Sequence, residues 1–219
     1  MPDLRQQLQS LFRGRICLVG LGNTDLGDDG FGVRLAEELK ARFCPEIEAA
    51  VRARKQAGFR RDPLNPRDAK STGSEVATRV LVAGTTPENH IGRIMREDWT
   101  HVLFLDAADF GAEPGAAVLM DSSAIAARFP QVSTHKISLA LLAKLVQGNG
   151  YTKAWLLGVQ PESLAPGTGL SPKVQTSLEL LRDLLVEVRA GESQRLSLEA
   201  GLLAEMGMRR AARPEGGPL

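Results

Sequence analysis

The hydrophobic positions of this chain change period repeatedly, and each change marks an element. Leu4, Leu8, Leu11 and Phe12 recur at helical spacing behind Asp3, a residue suited to cap a helix. The unbroken apolar run Ile16 to Leu21 follows and ends among glycines, as a parallel strand buried on both faces does. Leu35, Ala36, Leu39 and Phe43 then form a helical stripe. The alternation continues with a strand over 79–82, a helix from Pro87, strands over 101–105 and 117–120, a helix after His135, a strand over 154–159 and a helix over 171–188. In that last helix Val174, Leu178, Leu181, Leu185 and Val188 keep one face. Strands alternating with helices predict an α/β fold in three layers: a doubly wound, mostly parallel twisted sheet with helices on both faces.

Two stretches fall outside the pattern. Residues 45–75 carry Arg52, Arg54, Lys55, Arg60, Arg61, Arg67 and Lys70 among prolines and glycines without a sustained period, and read as a mobile basic insertion. Residues 191–219 offer a further helix, with Leu198, Leu202 and Met206 in line, and then an ending of disordered composition. The expected organisation is one α/β domain over 1–190 followed by this C-terminal helix and tail.

Charge and cysteine usage narrow the class of partner. The 27 Lys and Arg nearly cancel the 26 Asp and Glu, and a net charge of +1 provides no field to hold a polyanion, so nucleic acid is not an expected partner. Cys17 and Cys44 lack metal-binding or redox spacing and read as buried free thiols in a reducing compartment. There is no secretory pattern at the start and no apolar run of the about 18 residues that a membrane span needs, so the expected location is the cytoplasm without membrane insertion.

The candidate chemistry gathers on loops at the carboxyl ends of strands, where open α/β folds place ligands. GLGNTDLGDDGFG, Gly20 to Gly32, stands between a strand and a helix. A dinucleotide loop starting at Gly20 would need glycine where Asp25 stands, and Asp28 and Asp29 would oppose a pyrophosphate. The two carboxylates suit a cation, or else they cap the following helix. Asp106 closes the apolar strand 102–105 and faces the same crevice, or serves as a turn residue bonding its own backbone. His135 lies on a hydroxyl-rich loop before a helix, whereas His90 and His101 read as surface or structural histidines. Two carboxylates and an imidazole from separate loops would make a three-ligand site with open positions, to be completed by water or by an atom of a partner.

Five motifs in order resemble a known family: GLGNTDLGDDGFG, AGTTPEN at Ala83 to Asn89, FLDAADFG at Phe104 to Gly111, STHKISL at Ser133 to Leu139 and GVQPESLAPGTGLSP at Gly158 to Pro172. Together they resemble the endopeptidases that mature nickel-iron hydrogenases, closest to the type serving the formate-linked hydrogenase. The resemblance implies an enzyme that removes a C-terminal extension from the hydrogenase large-subunit precursor after nickel insertion. It also implies that Asp29, Asp106 and His135 are the metal ligands and catalytic residues. The nickel would be presented by the precursor, the resting site being empty or holding another divalent metal. The substrate tail would dock at Gly84 and Thr85, where Val82, Ala83 and Gly84 stand in place of the family's usual Asp-Gly-Gly. The basic insertion is a second departure. Asp28 is a candidate base for the attacking water. Two rival readings are a nickel-sensing or assembly protein that docks on a precursor without cutting it, and a nucleotide-binding α/β domain.

Overall fold

The strand Ile16–Leu21 (β1) is buried along its whole length, and its side chains divide between two cores because successive residues of a strand point to opposite faces. Ile16 and Leu18 enter a cluster built by the helices Leu4–Phe12 (α1), Phe31–Phe43 (α2) and Pro172–Ala211 (α6). Cys17, Val19 and Leu21 enter the opposite cluster, covered by Glu88–Ile94 (α3), Ser122–Arg128 (α4) and Leu139–Val146 (α5). The expected three layers are present. The computed structural model describes residues 3–43, 78–129 and 137–211, with side chains in α6 as far as Leu198. The basic stretch 45–75, Cys44 and His135 lie outside the described residues.

Among the described residues four more strands join the sheet: Thr78–Gly84 (β2), His101–Ala107 (β3), Ala117–Asp121 (β4) and Lys153–Val159 (β5). Their order is β2-β1-β3-β5-β4, with β1 parallel to both β2 and β3, and β3 parallel to β5. Only β4, on the edge, runs antiparallel, against β5. The chain winds from β1 out to β2 on one side and resumes at β3 on the other. The direction of winding therefore reverses between β1 and β3, which opens a crevice at their carboxyl ends.

Three local outcomes differ from the pattern-based reading. The helix expected over 171–188 and the one expected after Ala190 are a single α6 of 40 residues, about 60 Å long. A glycine such as Gly191, Gly201 or Gly207 costs a helix only about 1 kcal/mol, and no proline after Pro172 stands in the way. The helix α4 was not anticipated; its N-cap is Asp121, whose side chain accepts the N–H of Ala124 at 2.9 Å. Strand β2 extends beyond the expected 79–82 at both ends.

Cys17 is fully buried, and burial pushes its thiol up to about 12. Among the described residues no helix is long and apolar enough to cross a membrane.

Candidate active site

The loop after β1 folds back closely on a residue without a side chain. Gly22 has φ +118°, its N–H donates to the carbonyl of Gly84 at 3.2 Å, and a Cβ there would lie 1.8 Å from the carbonyl oxygen of Asp29. The chain then turns back on itself: Leu26 N–H donates to the Asn23 carbonyl, Asp25 N–H to Asn23 Oδ1, and a 3-10 turn over Gly27–Gly30 leads into α2. Asp29 sits in that turn with 2% exposure, and its Oδ2 accepts the N–H of Asn23 at 2.7 Å. That bond fixes the direction of a carboxylate at the carboxyl end of β1.

Asp106 comes from the neighbouring strand. It is next to last in β3, pairs in register with Gly158 of β5 and is 3% exposed. Close packing brings the two acidic segments to the same edge: a Cβ on Gly32, in the first turn of α2, would lie 1.9 Å from the carbonyl oxygen of Leu105 and 2.5 Å from that of Leu21. Gly84 ends β2 beside the same loop, with φ +58°, and Thr85 following it is exposed. The expected substrate positions therefore lie at the same edge as both carboxylates. Val82 and Ala83, in place of the acidic pattern, are half-buried and buried.

Two carboxylates are oxygen donors that suit a hard or borderline divalent cation. No group of three His, Cys, Asp or Glu arranged for a metal occurs among the described residues, and the third expected ligand, His135, lies outside them.

The candidate base is a different matter. Asp28 is fully buried, Oδ2 accepting the N–H groups of Glu162 at 2.8 Å and Ser163 at 2.9 Å, and Oδ1 that of Ser171 at 2.6 Å. Burial pushes its carboxyl up, but these N–H groups outweigh burial and hold it below the usual carboxylate range. A carboxylate with both oxygens engaged and its basicity reduced is a poor base for water. Asp28 is a clamp, and each backbone N–H bond to its charged carboxylate contributes about 1.5–3 kcal/mol.

Comparison with known proteins decides the family. The model of the hydrogenase maturation protease family matches residues 68–188. The chain belongs to that family. It is thus an endopeptidase, and the non-cleaving and nucleotide-binding readings give way. The hydrogenase 2 maturation protease of Escherichia coli K12 is 27% identical over 192 residues, 85% of this chain and 98% of that relative. The hydrogenase 3 maturation protease of the same organism is 30% identical over 146 residues, 66% of this chain and 72% of the relative. The crystal structure of the maturation protease HycI from Thermococcus kodakarensis KOD1 matches with a TM-score of 0.61 at 27% identity, covering 84% of this chain and 99% of that one. The Escherichia coli endopeptidase HybD matches with a TM-score of 0.54 at 25% identity, covering 81% and 91%.

One residue of this maturation protease escaped the sequence reading. Gln160, just after β5, is buried, and its Oε1 accepts the N–H groups of Phe110 at 2.9 Å and Ala112 at 3.2 Å. Its Nε2 donates to Asp109 Oδ1 at 3.1 Å. The signal was a polar residue closing an apolar strand inside the quoted GVQP motif.

Proposed function

We propose that this endopeptidase removes the C-terminal extension of a nickel-iron hydrogenase large-subunit precursor once nickel is in place, and that Asp29, Asp106 and His135 recognise the nickel which the precursor presents. The observation that carries the reading is the placement of Asp29 and Asp106, both buried, at the carboxyl ends of the adjacent central strands β1 and β3. A site that receives a cation from its substrate uses such carboxylates as oxygen donors. The Asn23 N–H holds Asp29 in one orientation, so the cation meets a prepared ligand. The precursor's tail lies along the end of β2 at Gly84 and Thr85, which brings the scissile peptide to the same edge. Nickel held between precursor and protease polarises the scissile carbonyl or the attacking water. Water adds across the C–N bond, leaving a new carboxyl terminus on the subunit and a free amine on the released peptide. A buried free thiol at Cys17 suits work in the reducing cytoplasm.

The test is mass spectrometry of the precursor's C-terminus after incubation with the protease, using nickel-loaded and nickel-free precursor. Asp29→Asn and Asp106→Asn keep shape and local hydrogen bonding but remove the anionic oxygen, so cleavage should be lost while circular dichroism stays native. Near wild-type cutting by either variant, or equal processing of nickel-free precursor, would overturn the proposal.

A further inference from the structure

The two carboxylates of the site are carried by separate segments, the turn after β1 and the end of β3, and one stretch of chain bonds to both. Residues 160–171 follow β5. At one end Gln160 fastens the turn after Asp106. Its side chain holds Phe110, Ala112 and Asp109, its N–H donates to the Ala116 carbonyl at 2.9 Å, and its carbonyl accepts the N–H of Gly115 at 2.9 Å. Along the rest of the stretch Asp28 takes the N–H groups of Glu162, Ser163 and Ser171, while its own N–H donates to the Ser163 carbonyl at 2.9 Å. Gly167 N–H adds a bond to the Asp25 carbonyl at 2.9 Å. These bonds join segments more than 130 residues apart in sequence on the Asp28 side.

We infer that residues 160–171 are a brace that fixes the placement of Asp29 relative to Asp106, with Asp28 and Gln160 as its two positioning residues. Both side chains are taken up by groups of the protein itself. Asp28 acts through the peptide bond it shares with Asp29, and Gln160 acts through the turn that begins three residues after Asp106. A bound ion tolerates little error in the separation of its ligands, so the brace governs turnover more than docking of the tail at β2. The kinetic part of this inference rests on the proposed function; the structural part does not.

The experiment uses the full chain, amide exchange by NMR, and cleavage of nickel-loaded precursor. Asp28→Asn places an amide group against N–H donors and should expose the amides of Glu162, Ser163 and Ser171. If the brace positions Asp29, the amide of Asn23, which donates to Asp29 Oδ2, should lose protection as well. The rate constant kcat should fall about 10- to 100-fold with KM nearly unchanged, the pattern of misplaced reacting groups. Gln160→Met should release the amides of Phe110 and Ala112 and give the same split from the other end. Gln160→Glu keeps the acceptor for Phe110 and Ala112 but sets a carboxylate against Asp109, so it should recover part of the loss only when combined with Asp109→Asn. Brace amides that exchange freely while kcat stays within about 2-fold of wild type, or a rise in KM alone, would overturn the inference. Should Asp28→Asn fail to fold, the two Gln160 variants decide it. Should wild type fail to cleave, or Asp29→Asn cleave normally, the proposed function fails, and the Asn23 amide in Asp28→Asn still decides the brace.

Discussion

Gly32→Ala puts one methyl group where the fold has no room. Its Cβ would stand 1.9 Å from the Leu105 carbonyl oxygen, about 1.5 Å short of the 3.4 Å at which ordinary contact begins, and 2.5 Å from the Leu21 carbonyl oxygen. Both obstacles are backbone atoms of β3 and β1, the middle of the sheet, so relief requires α2 to move off its bed. Overpacking of this kind costs about 1–3 kcal/mol, and contact with unyielding backbone on two sides puts the loss near the top of that range. Alanine returns up to about 1 kcal/mol through helix propensity, so a net loss of about 2 kcal/mol is expected. Gly92→Ala in α3 is the control: nothing lies within 4 Å of its Cβ, so propensity acts alone and the variant should be stabilised by about 0.5–1 kcal/mol. Urea unfolding followed by far-UV circular dichroism measures both. Cleavage by Gly32→Ala should fall even under conditions where it is fully folded, because Leu105 directly precedes Asp106. A Gly32→Ala variant more stable than wild type, by as much as Gly92→Ala is, would refute the argument, since the propensity gain would then be unopposed.

Three further outcomes follow from local chemistry. The Ser123 hydroxyl, then the Ala124 N–H, hold the Asp121 carboxyl below the usual carboxylate range; its stabilisation is therefore complete above the unfolded value of about 4 and lost as pH falls through the folded one. The difference between wild type and Asp121→Ala should be about 1 kcal/mol at neutral pH and should vanish in urea titrations at lower pH. Cys17, buried with its thiol at about 12, should resist alkylation at pH 8 in the native protein and react in denaturant, as read by peptide mapping. Calorimetric titration of the substrate-free protein with nickel or zinc should show weak binding, because the three proposed ligands, with open positions, suit an ion delivered by substrate. Sub-nanomolar binding lost in His135→Ala would mark a resident metal instead.

The layers were legible because burial dictates them. A parallel strand covered on both sides must be apolar throughout, and Ile16 to Leu21 announces itself in that way. The helix α4 was hidden by its composition: Ser122 to Arg128 has one buried residue, Ile125, and so carries no stripe to count. The unity of α6 was hidden for the opposite reason. Beyond Val188 its described side chains are no longer buried, so the apolar signal fades although the backbone hydrogen bonding continues. The stripe over 174–188 and the one through Leu198, Leu202 and Met206 read as two helices, whereas a break in period reports only a change in what a helix packs against.

The adjacent pair Asp28 and Asp29 shows why a site is harder to read than a fold. Both are buried acidic residues of one 3-10 turn, and nothing in GDDG separates them. They part company through direction alone. Asp28 turns toward residues 162–171, more than 130 positions later, and is consumed by their N–H groups, while Asp29 turns toward Asn23 at the end of β1. No local rule could assign the first as a clamp, because its partners exist only once β5 has taken its place beside β3. A carboxylate's role is set by the donors that meet it, and those donors belong to the tertiary fold. Motif order locates the acidic turn in this endopeptidase; topology then divides the labour within it, leaving Asp29 for the proposed ion and Asp28 to hold it in place.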